Sequence, residues 1–222
     1  LRIRDDRTRG AISRPLHLAV QETLNEKGQV ILLLNRRGFA TTIQCPSCGH
    51  VVACPDCDMP LTHHRDGGKA CCHYCDYTIA TPPWCPACRF DGIRYGGLGT
   101  QRLEVEVKAR FPDACIARMD SDTMKRPGSH QRVLSAFRSG EVNILLGTQM
   151  IAKGLDFPNV LLVGVINAGS ALHFPDFRAA ERTFQLVTQV AGRTGRGDRG
   201  GRVIVQTFSP EHPAIQAASR HD

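Results

Sequence analysis

Eight cysteines in four CxxC pairs are the residues whose types and spacing most directly specify chemistry: Cys45 and Cys48 in CPSC, Cys54 and Cys57 in CPDC, Cys72 and Cys75 in CHYC, Cys85 and Cys88 in CPAC. Two intervening residues let both thiolates of a pair reach one tetrahedral ion while the amides of the turn face the sulfurs. A single pair can be redox chemistry or chance; four of them between residues 45 and 88 specify zinc. Fourteen residues separate Cys57 from Cys72, close to the spacing of a two-knuckle ribbon. That groups Cys54, Cys57, Cys72 and Cys75 as an inner site, and by elimination Cys45, Cys48, Cys85 and Cys88 as an outer site that staples the segment at its base. Cross-braced and sequential pairings satisfy the same count. Four thiolates with no open position make both sites structural. Cys71 and Cys115 fall outside the spacing, and eight thiols leave His63, His64 and His73 little to ligate.

A second constellation is built for phosphate. The stretch QVAGRTGRGDRGG at 189–201 has the form QxxGRxGR, with Gln189, Gly192, Arg193, Gly195 and Arg196. Arginine presents a planar fork of donors that matches phosphate oxygens, and glycine lets a ligand approach the main chain. Two arginines at that interval on the end of a helix can both reach one polyphosphate. Upstream, ILLGTQMIAKGLDFPNV runs from a strand into a turn. Thr148 at the strand end can offer its hydroxyl and amide to a phosphate, and Gly154 permits a tight turn that presents Asp156 to a sugar hydroxyl. LNRRGFA follows another strand, so Arg36, Thr148 and Lys153 are expected to share one rim outside the carboxyl ends of a parallel sheet. Each piece alone reads equally well as a solvated loop or a common strand–turn–helix junction; the combination is far more specific.

Those groups need a scaffold, and the apolar pattern supplies one. A helix is predicted over 13–26, with Leu16, Val20 and Leu24 at helical spacing and Gly28 as its stop. QVILLLN at 29–35 reads as a strand covered on both faces. Helices follow at 101–111, 130–139 and about 177–190, and strands at CIARMD, VNILLG, NVLLVGVIN and GGRVIVQTF. Strands alternating with helices give an α/β fold, a parallel sheet with helices on both faces. Between 44 and 95 the alternation stops and Cys, Pro, His and Gly take over. The domains are therefore expected at 1–43 with 96–222, and at 44–95 as an inserted two-zinc cysteine-rich domain.

Composition bounds the rest. At 222 residues, 41% hydrophobic and 22% charged, the chain is globular in character, with no apolar run of membrane-spanning length. The formal charge of +7 overstates its basicity: two zinc ions add four charges and eight thiolates remove eight, leaving +3. The case for a polyanionic partner thus rests on where the arginines lie. Reduced CxxC pairs and the absence of a signal-peptide layout in LRIRDDRTRG point to the cytoplasm. The chain starts at Leu1 without an initiator methionine, so it is expected to be part of a longer protein.

TQMIAKGLDFPNV and QVAGRTGR resemble motifs V and VI of superfamily 2 helicases. The cysteine-rich insertion after LNRRGFA, followed by GLGTQRLE, RMDSDT and PDFRAAERTFQLVTQVAGR, is similar to the replication-restart helicases over nearly all of the chain. The resemblance implies a RecA-like second motor lobe with its zinc-binding insertion. It implies an ATP-dependent 3′-5′ DNA helicase that restarts replication at stalled forks and initiates primosome assembly. Two structural zinc ions, and ATP with magnesium in the full-length protein, are the implied cofactors. Forked or single-stranded DNA, primosome proteins and single-stranded-DNA-binding protein are the implied partners, with no membrane. In the family the counterpart of Arg196, with Arg193 beside it, is the arginine finger on the γ-phosphate, in the same motif as Gln189. The Asp156 position, with Gly154, lies near the nucleotide, and the Thr148 position lies on the DNA backbone, where Arg36 and Lys153 join it as candidates. The cysteine pairing is nested, and the insertion serves unwinding and primosome contacts.

Two departures stand out. Gly169 in VINAGSALHF occupies a position where an acid is usual. No GxxxxGK[ST] and no DExH-type acidic motif occurs in the chain, so it is expected to be inactive as an ATPase on its own. The rival reading is a non-enzymatic zinc-ribbon module that binds protein or single-stranded DNA on an inert α/β platform. Its aromatics would be Tyr74, Tyr77, Trp84, Phe90 and Tyr95, with Trp84 assigned to core packing.

Overall fold

The computed structural model describes residues 10–35, 43–45, 47–64, 68–91, 94–95, 99–152, 157–173, 177–192, 194 and 200–220. The first helix, α1 (Arg14–Asn25), starts where the Ser13 hydroxyl accepts from the Leu16 amide and Pro15 sits in the first turn, and it buries Leu16, Ala19 and Val20. Its end differs from expectation. Lys27, not Gly28, takes the left-handed turn, with φ of 55°. Gly28 is needed for closeness instead: a Cβ there would lie 2.5 Å from Leu161 Cδ1.

Strand β1 (Gln29–Leu34) is buried along its whole length. It is the middle of a five-stranded sheet formed with β7 (Ile116–Met119), β8 (Ile144–Gly147), β9 (Val160–Ile166) and β10 (Arg202–Val205), in the order β10-β9-β1-β8-β7. All four pairings are parallel. Alternate β1 residues explain the unbroken apolar run. Ile31 and Leu33 face one core with Leu134 and Phe137 of α3 (Ser129–Ser139), Leu186, Val187 and Val190 of α4 (Ala179–Ala191), and Ile215 of α5 (Pro213–Arg220). Val30, Leu32 and Leu34 face the other, with Leu16 and Val20 of α1 and Leu103 and Val107 of α2 (Thr100–Arg110). Helices on both faces remove both surfaces from water, so neither needs polar alternation.

Between β8 and β9 the chain must travel from the carboxyl edge of the sheet back to its amino edge. It does so through a 3-10 turn, Gln149–Ala152, and buries Ile151 and Phe157 against the α3 and α4 side. Phe157 packs edge-on to Phe137 with ring centroids 4.8 Å apart.

The cysteine-rich region forms a short antiparallel stem and a separate sheet. In the stem, β2 (Ile43–Gln44) pairs with β6 (Arg94–Tyr95). The sheet comprises β3 (Thr62–His64), β4 (Lys69–Cys71) and β5 (Thr78–Ala80). Its core is a distinct cluster: Ile43, Cys45, Val52, Cys54, Leu61, Ala70, Cys72 and Cys85. Half of those buried residues are cysteines, so the cluster gains little from apolar burial alone.

Candidate metal centres and the two rims of the sheet

The four CxxC pairs fold into one local structure built four times. In each, the first cysteine's amide donates to the carbonyl five residues on: Cys45 to His50 at 2.9 Å, and Cys54 to Met59, Cys72 to Tyr77 and Cys85 to Phe90 at 2.8 Å. Its carbonyl accepts from the fourth residue on, which is Gly49, Asp58, Asp76 or Arg89, at 2.9–3.0 Å. That fourth residue is left-handed every time, with φ of 78°, 53°, 60° and 60° in chain order. The sequence shows the repeat of CxxC but not this fifth position, because three different residue types fill it.

These loops gather the thiols into two quartets, Cys45 with Cys48, Cys85 and Cys88, and Cys54 with Cys57, Cys72 and Cys75. In the first, Cys45 Sγ lies 3.7 Å from Cys88 Sγ and Cys48 Sγ 3.7 Å from Cys85 Sγ. In the second, the separations of Cys57 Sγ are 3.5 Å to Cys54, 3.4 Å to Cys72 and 3.4 Å to Cys75. Four sulfurs around zinc at about 2.3 Å define a tetrahedron with edges of about 3.8 Å, whereas a disulfide needs about 2.05 Å. The spacing therefore fits a shared zinc ion, and all ten cysteines are free thiols.

Electrostatics supports the same fit. Backbone amides of Cys75 and Tyr74 pull the Cys72 thiol down to about 7, and the Phe90 amide does the same for Cys88. Burial pushes Cys45 up to about 12, and desolvation followed by the neighbouring thiols raises Cys57. Four crowded thiols cannot all ionise against one another; a divalent cation removes that penalty. No histidine enters either quartet, and His63 Nδ1 instead lies 3.1 Å from Thr81 Oγ1.

The parallel sheet has two edges, and the described residues of the phosphate-type motifs divide between them. At the carboxyl edge stand Asn35 after β1, Asp120 after β7, the half-buried Thr148 after β8 and Asn167 after β9. Register places Met119 and Leu33 on either side of Gly147, so Asp120 and Thr148 are next neighbours on that edge. The Asn35 side-chain amide donates to the Ala168 carbonyl at 2.7 Å. Asp120 accepts from the Thr100 hydroxyl, from the Thr123 amide at 2.9 Å and from the Asp122 amide at 3.0 Å, and Arg118 lies 3.1 Å away. Burial by itself would raise its carboxyl pKa, but bonds from Thr100 and Thr123 and the Arg118 charge hold it below the ordinary value. Sequence reasoning missed this brace, whose partners lie twenty residues apart in GLGT and RMDSDT.

At the amino edge, α4 ends after running back along the sheet. Gln189 is exposed on its last turn, Gly192 caps it, and the Thr194 hydroxyl donates to the Val160 carbonyl at 2.8 Å. Thr194 is thus tied to the first residue of β9. Phe157, which follows Asp156, has its carbonyl 3.2 Å from the Val160 amide, at the same edge. Thr148 thus stands at the carboxyl rim and Phe157 at the amino rim. Arg36, Lys153, Gly154, Asp156, Arg193 and Arg196 lie outside the described residues. Gly169 sits buried in a 3-10 turn, Ala168–His173, where a Cβ would approach Thr207 Oγ1 to 2.9 Å. An acid at that position would have to displace the buried Thr207.

The fold and the thiol quartets define a RecA-like helicase C-terminal lobe carrying a cysteine-rich insertion. Residues 100–198 match the helicase conserved C-terminal domain, and residues 54–79 match the PriA DNA helicase Cys-rich region domain. The chain belongs to the PriA family of replication restart proteins. It is 50% identical over 214 residues to "Replication restart protein PriA" of Bacillus subtilis, covering 96% of this chain and 27% of that protein. The protein of the same name from Synechocystis sp. is 44% identical over 218 residues, covering 96% and 26%. That of Treponema pallidum is 48% identical over 203 residues, covering 91% and 31%. The chain thus spans about a quarter to a third of the length of these relatives.

Proposed function

We propose that the chain is the second motor lobe, with its zinc module, of an ATP-dependent 3′-5′ DNA helicase that restarts replication at stalled forks and initiates primosome assembly. The observation that carries this reading is the separation of two rims by one continuous segment. Thr148 stands at the carboxyl edge, Thr194 stands at the amino edge, and between them in sequence Ile151 and Phe157 are buried on one face of the sheet, Phe157 meeting Val160 at the amino edge.

In this reading the amino rim meets a nucleotide held chiefly by another lobe. Arg196, with Arg193 beside it, neutralises charge on the γ-phosphate, Gln189 serves the same motif, and Gly154 with Asp156 lies near the ribose. ATP with magnesium supplies the phosphoryl group and its activation when bound. Phosphoryl transfer is catalysed by positioning and charge neutralisation, so a finger from this lobe makes hydrolysis depend on lobe closure. The carboxyl rim takes the DNA backbone at Thr148, Arg36 and Lys153. A strand moving past Thr148 pulls on residues 149–157 and so on the amino rim. The two quartets hold zinc through Cys45, Cys48, Cys85 and Cys88, and through Cys54, Cys57, Cys72 and Cys75, as structural ions. Forked or single-stranded DNA, primosome proteins and single-stranded-DNA-binding protein are the partners, in the cytoplasm, where thiols stay reduced. Among the described residues no helix is long and apolar enough to cross a membrane.

In the intact protein, Arg193→Ala or Arg196→Ala is expected to lower DNA-stimulated ATP hydrolysis by about 10³-fold or more while two zinc ions remain bound. Unchanged hydrolysis in both variants contradicts the finger role.

One observation favours a contact role for the module itself. Trp84 is not core, as its sequence context suggested, but 55% exposed, and Tyr74 is 79% exposed. Rings presented to solvent on a metal-held scaffold suit stacking on single-stranded bases. Trp84→Ala is then expected to weaken single-strand binding by about 1–3 kcal/mol, roughly 5- to 150-fold in a titration. Unchanged binding assigns the ring to a protein partner instead.

A further inference from the structure

Four knuckles share one backbone, yet only the first has glycine at the left-handed fifth position. Asp58, Asp76 and Arg89 show that this conformation admits a side chain in this protein. Conformation alone therefore does not select Gly49. Its surroundings do: a Cβ on Gly49 would lie 2.6 Å from Phe208 Cβ and 2.7 Å from Phe208 Cγ. Phe208 Cβ is fixed to the backbone just beyond β10 and cannot swing aside as the end of a long side chain could. Beside this contact, the Asn167 side-chain amide lies 3.4 Å from Gln44 Oε1. Asn167 is held in the left-handed region at φ 53° directly after β9. Both lobe residues lie beyond the carboxyl ends of their strands, and both module residues flank Cys45.

We propose that Gly49 is a positioning residue: the first knuckle of the outer quartet docks its glycine on Phe208 and so fixes the cysteine-rich module against the carboxyl rim. The module joins the lobe through a stem two residues long on each strand, which leaves its orientation open to rotation. Gly49 against Phe208, with Gln44 against Asn167, supplies the second point that removes this freedom. The inner quartet, in the loops before β3 and between β4 and β5, belongs to the part of the module with its own sheet and takes no part. The outer metal centre thus acts on the lobe by shaping the loop that presents Gly49, and the inner one stabilises the module only.

The test uses the zinc-loaded chain and two variants. Gly49→Asp places at this position the residue type that two sister knuckles accept, so the knuckle is preserved while Phe208 is wedged away. Phe208→Ala removes the ring with both quartets untouched. Zinc content is measured together with amide hydrogen exchange in peptides covering 43–52, 165–170 and 204–209. The expected result is two zinc ions in both variants, exchange at least about tenfold faster in those three segments, and unchanged exchange in β3 to β5. Should Gly49→Asp lose zinc, Phe208→Ala decides: faster exchange in it upholds the docking. Unchanged exchange in Phe208→Ala overturns the proposal, whether or not Gly49→Asp keeps its metal.

Discussion

The Asp120 carboxylate accepts hydrogen bonds at the carboxyl rim from the Thr100 hydroxyl, the Asp122 amide and the amide and hydroxyl of Thr123, with Arg118 beside it. Through them it clamps the start of α2 to the end of β7. Its carboxyl pKa is lowered in the folded state, so the ionised form contributes stability at pH values above the unfolded carboxyl pKa of about 3.9. That contribution is lost as pH falls through the lower, folded value. Asp120→Asn keeps the shape and removes the charge, and it is expected to cost about 1–3 kcal/mol at pH 7. In urea melts of parent and variant side by side, the difference should shrink as pH drops below about 4. A pH-independent difference would mean the carboxylate's charge is not what holds the clamp. The aspartate is visible in the sequence as part of RMDSDT, but nothing in that motif names its partner: Thr100 is brought to it only by the packing of α2 on β7.

The core strands could be read because burial on both faces leaves an unbroken apolar signature, as in QVILLL and VLLVGVI. Elements held by other means could not. The strands of the cysteine-rich region are two or three residues long and depend on the knuckles rather than on an apolar face. α5 has eight residues and forms against α4 through Ile215 and Ala218, a tertiary reason no local pattern records. The carboxyl rim was expected because Thr148 directly follows a strand, but the amino rim was hidden, since the edge reached by α4 follows from the direction of that helix against the sheet. Thr194 is the element-scale test of that assignment. Thr194→Val removes the hydroxyl that reaches Val160 while keeping the volume. It is expected to cost about 1 kcal/mol in chemical unfolding and to lower the kcat for ATP hydrolysis in the intact protein without changing DNA affinity. Equal loss of DNA affinity would place this segment at the wrong rim.

For the molecule as a whole, two cores on the sheet and one small core among the cysteines predict two levels of stability. The lobe buries large side chains such as Phe137, Phe157, Leu32 and Leu33. The module's buried cluster is half cysteine and needs its metals to overcome the entropy of ordering. A chelator is therefore expected to abolish amide protection in β3, β4 and β5 while the helical circular dichroism of the lobe persists. Simultaneous loss of both would show that the lobe leans on the module for its fold. The zinc chemistry was the most legible feature of the sequence, because thiol count and spacing fix the donor set before any fold is known. The docking of Gly49 on Phe208 was the least, because a glycine after CxxC looks like any other turn residue until the ring opposite it is seen. The measurement that tests the central claim most directly is ATP hydrolysis and single-strand affinity compared in the intact protein for Arg196→Ala and Thr148→Ala. Two separate rims require Arg196→Ala to abolish hydrolysis with DNA affinity retained, and Thr148→Ala to weaken DNA binding with DNA-independent hydrolysis retained. If both variants lose both properties in parallel, the division of the lobe into a nucleotide rim and a DNA rim is contradicted.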